Sequence, residues 1–195
     1  MSKMLRVGVA GLGAVGAATV RLLQEQSSLI ALRCNKDLTV TDVSARDQGK
    51  VREFSMNSIT WHSDPIAMTQ EAEVDIIVEA IGGSDGVAKE LVKKAIAAGK
   101  HVVTANKALI AHEGMNLAEQ AEERGVVLSF EAAVGGGIPI IKALVEGLSA
   151  NQVDAVYGIL NGTCNYILTN MRETGKQFDE VLKEAQNLGF AENDP

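Results

Sequence analysis

The chain has 195 residues, 46% of them hydrophobic and 22% charged, with a formal net charge of -7. A chain of this length buries roughly 70% of the surface it exposes when unfolded, so a core forms without disulfide or metal staples, and the composition excludes a disordered chain. Net acidity with no cluster of Lys and Arg argues against a nucleic-acid or anionic-membrane partner, and with no charged-then-apolar leader pattern and no apolar run of about 18 residues in the sequence read, neither secretion nor membrane spanning is expected.

A cytoplasmic location is expected. Cys34 and Cys164 read as reduced thiols, and His62, His101 and His112 share no metal-ligand spacing, which argues against zinc. In chain order, Met4 to Ala10 reads as a buried strand. It runs into Gly11-Leu12-Gly13-Ala14-Val15-Gly16, a G-x-G-x-x-G turn, and then into an apolar helical pattern from Ala14 to Gln26. In a dinucleotide-binding turn the first glycine makes the tight exit, the second lets a pyrophosphate approach the backbone, and the third lets helix and strand pack closely. Glycines also occur in plain packing turns; a strand before and a helix after are the context the motif requires. The helix start then offers unpaired N–H groups to phosphate oxygens.

Ser27 to Asp37 is expected to be irregular, with turn signals at Ser27-Ser28 and Asn35-Lys36-Asp37. Leu38 to Ser44 forms the second strand and opens at Ala45-Arg46-Asp47. A carboxylate at that point accepts from a ribose 2′-OH, whereas an arginine suits a 2′-phosphate. Asp42 lies inside the strand and Arg46 at its mouth, which favours NADP over NAD, the other reading of Arg46 being a solvated loop charge. Ile59 to His62 is a short third strand, and Asp64-Pro65 starts a brief helix. Val74 to Ala80 is a central strand, apolar because both faces of a parallel sheet are covered. It runs into Ile81-Gly82-Gly83, where the nicotinamide side of a dinucleotide would pass.

A helix from Val87 to Ala98 ends at Gly99. His101 to Thr104 is the fifth strand, followed by Ala105-Asn106-Lys107; a helix from Gly114 to Arg124 and a sixth strand from Val126 to Phe130 complete the series. Strands alternating with helices predict an α/β, Rossmann-type, doubly wound parallel sheet. The segments 11–16, 45–46, 81–83 and 104–107 all follow carboxyl ends of strands, the edge where such sheets bind ligands. The sheet is expected to occupy residues 1–133, and residues 134–195 to begin a second, α+β domain. That part opens on a glycine-rich hinge, with Pro139 starting a helix through Leu148, a strand from Val153 to Leu160, and helices from Tyr166 to Glu173 and Phe178 to Leu188.

The turn at 11–16, Thr104-Ala105-Asn106-Lys107, Glu131-Ala132-Ala133-Val134-Gly135-Gly136-Gly137-Ile138-Pro139-Ile140, Leu160-Asn161-Gly162-Thr163-Cys164-Asn165-Tyr166-Ile167 and Gly189-Phe190-Ala191-Glu192-Asn193-Asp194-Pro195 together resemble homoserine dehydrogenase in its bacterial form. The resemblance covers the whole chain. It implies NAD(P)-dependent interconversion of L-homoserine and L-aspartate 4-semialdehyde by hydride transfer, on the way to threonine, methionine and isoleucine, in a homodimer built on the second domain. By position it implies Lys107 as the catalytic residue at the coenzyme and substrate region. Gly11, Leu12, Gly13, Ala14, Val15, Gly16, Arg46, Ile81, Gly82, Gly83, Thr104, Ala105, Asn106, Lys107 and Gly162 would contact the coenzyme. Asn161, Gly162, Thr163 and Glu192 would bind the substrate, Glu192 through its ammonium. Carbonyl oxygens of Glu131, Val134, Gly136 and Ile138 would hold a monovalent cation, Na or K, a hard ion suited to oxygen ligands.

Family members continue past the Asp-Pro pair into a helix whose Asp and Lys handle the hydroxyl proton. Residues 1–195 are therefore expected to bind coenzyme with negligible turnover, and a non-catalytic dinucleotide-binding fragment is the alternative reading. Lys107 taken as an ordinary surface lysine fits poorly, since a cation at a helix start opposes the dipole. Cys164 has no histidine near it in sequence to activate it and reads as a small buried thiol, while Trp61 and the methionines read as core.

Overall fold

The computed structural model describes residues 4–159 and 161–191. The chain divides into two compact units, Met1–Gly136 and Gly137–Pro195. In the first, six parallel strands form one sheet: β1 (Met4–Ala10), β2 (Asp37–Ser44), β3 (Thr60–His62), β4 (Ile76–Glu79), β5 (His101–Thr104) and β6 (Leu128–Ser129), in the spatial order β3-β2-β1-β4-β5-β6. This is the doubly wound order, and its switch point lies between β2–β1 and β4, where two crossovers leave in opposite directions and a crevice opens.

The alternation of β1 sorts the core. Val7 and Val9 pack on one face with Val20, Val40 and Val43, whereas Ala10 lies on the other with Met68, Ile77, Leu91 and Leu109. Gly8 shares that second face: a Cβ there would lie 3.1 Å from Ile77 Cδ1. Helices α1 (Ala14–Glu25), α3 (Pro65–Glu71), α4 (Val87–Ala97) and α5 (Lys107–Arg124) cover the sheet; α4 buries Leu91, Val92, Ala95 and Ile96 at the i, i+1, i+4, i+5 spacing of one helical stripe.

Four expectations are corrected. Residues 27–34 form a helix, α2 (Ser27–Cys34), because Ile30 N–H bonds to the Gln26 carbonyl and carries the chain past the Ser27-Ser28 signal; Asn35, at φ +51, ends it. Helix α5 begins at Lys107 and not at Gly114, since the Asn106 side chain accepts from Leu109 N–H at 3.0 Å and caps it. The helix expected from Pro139 is an α-turn, α6 (Ile140–Lys142), continued by a π-helical turn over Ala143–Gly147. Residues 153–159 form no strand. A ladder needs a partner, and no described strand pairs with this segment, whose Tyr157 and Ile159 are exposed. Leu160 lies outside the described residues. In the second unit α7 (Gly162–Thr174) and α8 (Phe178–Asn187) pack through Ile167, Val181 and Ala185.

Two core readings also change. Cys164 is exposed, as is Cys34; it sits in the first turn of α7. Met68 is fully buried, but Met4, Met56 and Met115 are exposed. Trp61 is partly buried at the edge strand β3.

Candidate functional site

The turn after β1 is shaped by what its glycines exclude. Gly11 sits at φ +90, where an L side chain is strained, and a Cβ on it would lie 2.4 Å from the Ala80 carbonyl oxygen. Its N–H bonds to the Ser44 carbonyl at 2.8 Å, tying the ends of β1 and β2 together. Gly16 is buried in α1, and a Cβ there would lie 1.8 Å from the Gly11 carbonyl oxygen. Gly13 is the opposite case: a Cβ would meet nothing within 4 Å. Two of the three glycines are thus required by the protein's own packing, and the third faces open space at the N-cap of α1. No side chain caps that helix, and its first turn has no acidic residue, so its terminal N–H groups are available to an anion. Leu12 is buried in the core, while Ala14 and Val15 are exposed.

Beside this turn, at the switch point, is a cleft of about 440 Å³ lined by Gly11, Gly13, Ser44, Arg46, Ala80 and Ile81, among others. Arg46 is exposed at its rim, as its place after β2 leads one to expect. Asp42 is buried inside β2 and lies 2.7 Å from His62 Nε2, a pairing within the sheet and away from the strand's mouth. Ser44 lines the cleft at the end of β2; its buried hydroxyl oxygen has no hydrogen-bond partner among the described residues, an atom that a polar ligand in the cleft would satisfy.

Lys50 and Arg52 also line the cleft and were not among the sequence-derived candidates. The Arg52 guanidinium donates to the carbonyls of Asp47 (2.5 Å) and Lys50 (2.7 Å) and lies 5.2 Å from the Trp61 ring centre. Its charge thus folds the loop through carbonyls and an aromatic face, with no ion pair to a carboxylate among the described residues. The signal available beforehand was the run 46–52, which places Arg46, Lys50 and Arg52 together after β2. A second cavity, about 400 Å³, continues from Gly13, Lys50 and Arg52 along α1 to Arg21.

The other predicted segments of this unit converge at the ends of β4 and β5. Gly82 and Gly83 adopt φ +88 and +89. Asn106 Nδ2 donates to the Gly83 carbonyl at 2.7 Å, so residues 81–83 and 104–107 are joined directly. Thr104 and Asn106 are buried, Ala105 is half-buried, and Lys107 is exposed as the first residue of α5. Glu131 begins a 3₁₀ turn, Glu131–Ala133, whose carbonyl at Glu131 already accepts from Val134 N–H at 3.3 Å, and Gly135 follows at φ +59.

Within the second unit the Ile138 carbonyl accepts from Ile140 N–H at 2.8 Å. Asn161 caps α7, its Oδ1 accepting from Cys164 N–H at 2.9 Å; Gly162 is the first helical residue, and the Thr163 hydroxyl donates to the Phe190 carbonyl. Glu192 lies outside the described residues. No group of three His, Cys, Asp or Glu among the described residues is arranged to hold a metal ion, and no helix among them is long and apolar enough to cross a membrane.

Comparison with known proteins agrees with this arrangement. Residues 11–131 match the family model for the homoserine dehydrogenase NAD binding domain, and residues 139–195 match that for homoserine dehydrogenase itself. The chain is 48% identical over 193 residues to a homoserine dehydrogenase of Pseudomonas aeruginosa, covering 99% of this chain and 44% of that protein, and 41% identical over 193 residues to that of Bacillus subtilis, again 99% against 44%. A crystal structure of a homoserine dehydrogenase from Thiobacillus denitrificans superposes with a TM-score of 0.84 at 46% identity, over 100% of this chain and 45% of that one. A hyperthermophilic archaeal homoserine dehydrogenase in complex with NADPH superposes with a TM-score of 0.77 at 28% identity, over 98% and 63%. The chain spans about half the length of the curated relatives it matches. Because the family model for homoserine dehydrogenase itself matches as well as the nucleotide-binding one, a non-catalytic nucleotide-binding module is not favoured. The sheet order, the glycine turn and the matches along both units establish that this chain belongs to the homoserine dehydrogenase family.

Proposed function

We propose that the chain supplies the coenzyme domain, residues 1–133, and the start of the substrate and dimerisation domain, residues 134–195, of an NAD(P)-dependent oxidoreductase that interconverts L-homoserine and L-aspartate 4-semialdehyde. The observation that carries the reading is the contrast within the turn at 11–16: Gly11 and Gly16 are closed by their own neighbours, while Gly13 opens on the cleft. When bound, the nicotinamide ring supplies or accepts the hydride. The N–H groups of residues 13–16 would hold the pyrophosphate, and residues 81–83 and 104–107 would border the nicotinamide side. Reduction of an aldehyde leaves an alkoxide that needs a proton, and Lys107 is the cation in this chain suited to polarise and position that oxygen.

On this reading Asn161, Gly162 and Thr163 serve the substrate, with Glu192 on its ammonium, and Gly162 also meets the coenzyme. The carbonyls of Glu131, Val134, Gly136 and Ile138 would hold a monovalent cation, a hard ion suited to oxygen ligands. The enzyme is a cytoplasmic homodimer in this proposal, and its partners are small molecules and not nucleic acid or membrane.

NADP is the proposed coenzyme, supported by Arg46, Lys50 and Arg52 around the cleft and by the engagement of Asp42 with His62. A charge-assisted hydrogen bond contributes about 1.5 to 3 kcal/mol. Arg46→Ala is therefore expected to weaken NADPH binding by about tenfold to a hundredfold and to leave NADH within about twofold, measured by calorimetry. Equal losses for the two coenzymes would remove Arg46 as the discriminator.

A further inference from the structure

Strand β4 ends on a carboxylic acid that the fold encloses completely. Glu79 is 0% exposed, and a buried carboxylate is tolerated only when its oxygens are bonded. Oε1 accepts from the backbone N–H groups of Ile81 at 2.8 Å and Gly82 at 3.0 Å, and Oε2 accepts from the Thr104 hydroxyl at 2.5 Å. The Thr104 oxygen in turn accepts from Asn106 N–H at 3.0 Å, and Asn106 returns through Nδ2 to the Gly83 carbonyl while its Oδ1 starts α5. The bonds close a ring. It holds residues 81–83 on one side and the first turn of α5, with Lys107, on the other. An apolar side chain would fill the same core space without the desolvation cost of a carboxylate. What it could not do is fix two consecutive glycines at φ +88 and +89, the residue type with the most conformational freedom to lose.

We infer that Glu79 is a positioning residue: it sets the shape of the loop 81–83 at the nicotinamide side and, through Thr104 and Asn106, keeps the Lys107 end of α5 in register with it. The inference rests on the coenzyme reading above. The ring's hydrogen bonds run to neither the turn at 11–16 nor Arg46, and it meets that turn only where the Ile81 backbone packs beside Gly11, so the adenosine half of the coenzyme, held at the mouth of β2, should bind independently of it.

That separation gives the test. The 195-residue protein and its Glu79→Gln, Glu79→Ala and Thr104→Val variants are titrated with NADPH and with 2′,5′-ADP, which carries the adenosine half alone, with NADH and ADP in parallel and a thermal melt for each. Gln keeps an acceptor for Ile81 and Gly82, so its loss is expected to be the smallest. Thr104→Val, near constant in volume, is expected to weaken NADPH by about tenfold, and Glu79→Ala by about thirtyfold or more, while 2′,5′-ADP stays within about twofold in every variant. If Glu79→Ala fails to fold, Thr104→Val and Glu79→Gln decide the matter. Equal weakening of the whole coenzyme and its adenosine half, or unchanged NADPH affinity in those variants, would overturn the inference. A wild-type chain that binds none of the four ligands would instead overturn the coenzyme reading, and this inference with it.

Discussion

Gly16→Ala is expected to destabilise the protein, and Gly13→Val to leave it folded while weakening coenzyme binding about a hundredfold or more. The added Cβ at Gly16 would lie 1.8 Å from the Gly11 carbonyl oxygen, a backbone atom of the turn itself, so the strain cannot be relieved by a rotamer change. Overpacking of this kind costs about 1 to 3 kcal/mol and here belongs at the upper end, a fall in melting temperature of about 6 to 12 °C for a chain of this size. At Gly13 a Cβ would meet nothing within 4 Å. The branched side chain therefore costs the fold little and occupies the space where a pyrophosphate must approach, at a loss of about 3 kcal/mol or more, a hundredfold in affinity. Thermal melts and coenzyme titrations on the two variants separate the effects. A destabilised Gly13→Val protein, or one with unchanged affinity, would contradict the assignment of the turn.

The second large effect is on chemistry. Lys107 is exposed at the first position of α5, where removal of a cation relieves an unfavourable interaction with the helix dipole, so Lys107→Ala should fold normally. In a chain of full family length it is expected to lower kcat for aspartate semialdehyde reduction by about 10² to 10⁴ and to leave the KM for coenzyme within about threefold. A kcat within threefold of wild type would remove Lys107 from the catalytic step.

The parts of this molecule legible in the sequence are those whose cause is local. The turn at 11–16 could be read because its demands, a positive φ at Gly11 and a close approach at Gly16, fall on residues that only glycine satisfies. The parallel, doubly wound sheet followed from alternation of apolar strands with helical stripes and the handedness of their crossovers. Ser27-Ser28 was misleading because serine marks both breaks and the first turns of helices, and the bond from Ile30 to Gln26 decides between them. Residues 153–159 alternate like a strand, yet strand formation depends on a partner from elsewhere in a chain. For Arg52 the run 46–52 shows only a charge near Arg46; its place in the cleft depends on its hold on two carbonyls and Trp61, which exists only once the loop is folded. Glu79 looked like one polar residue in an apolar strand, and its role emerges from β5, which lies next to β4 in space but 25 residues away at Thr104.

The most direct measurement is an amide-resolved NMR titration of the 195-residue protein with NADPH. The expected result is a saturable shift at residues 11–16, 44–52, 81–83 and 104–107, with helix α8 unaffected. Absence of any shift at saturating coenzyme, or shifts that spare the turn at 11–16, would contradict the assignment of this edge of the sheet as the coenzyme site.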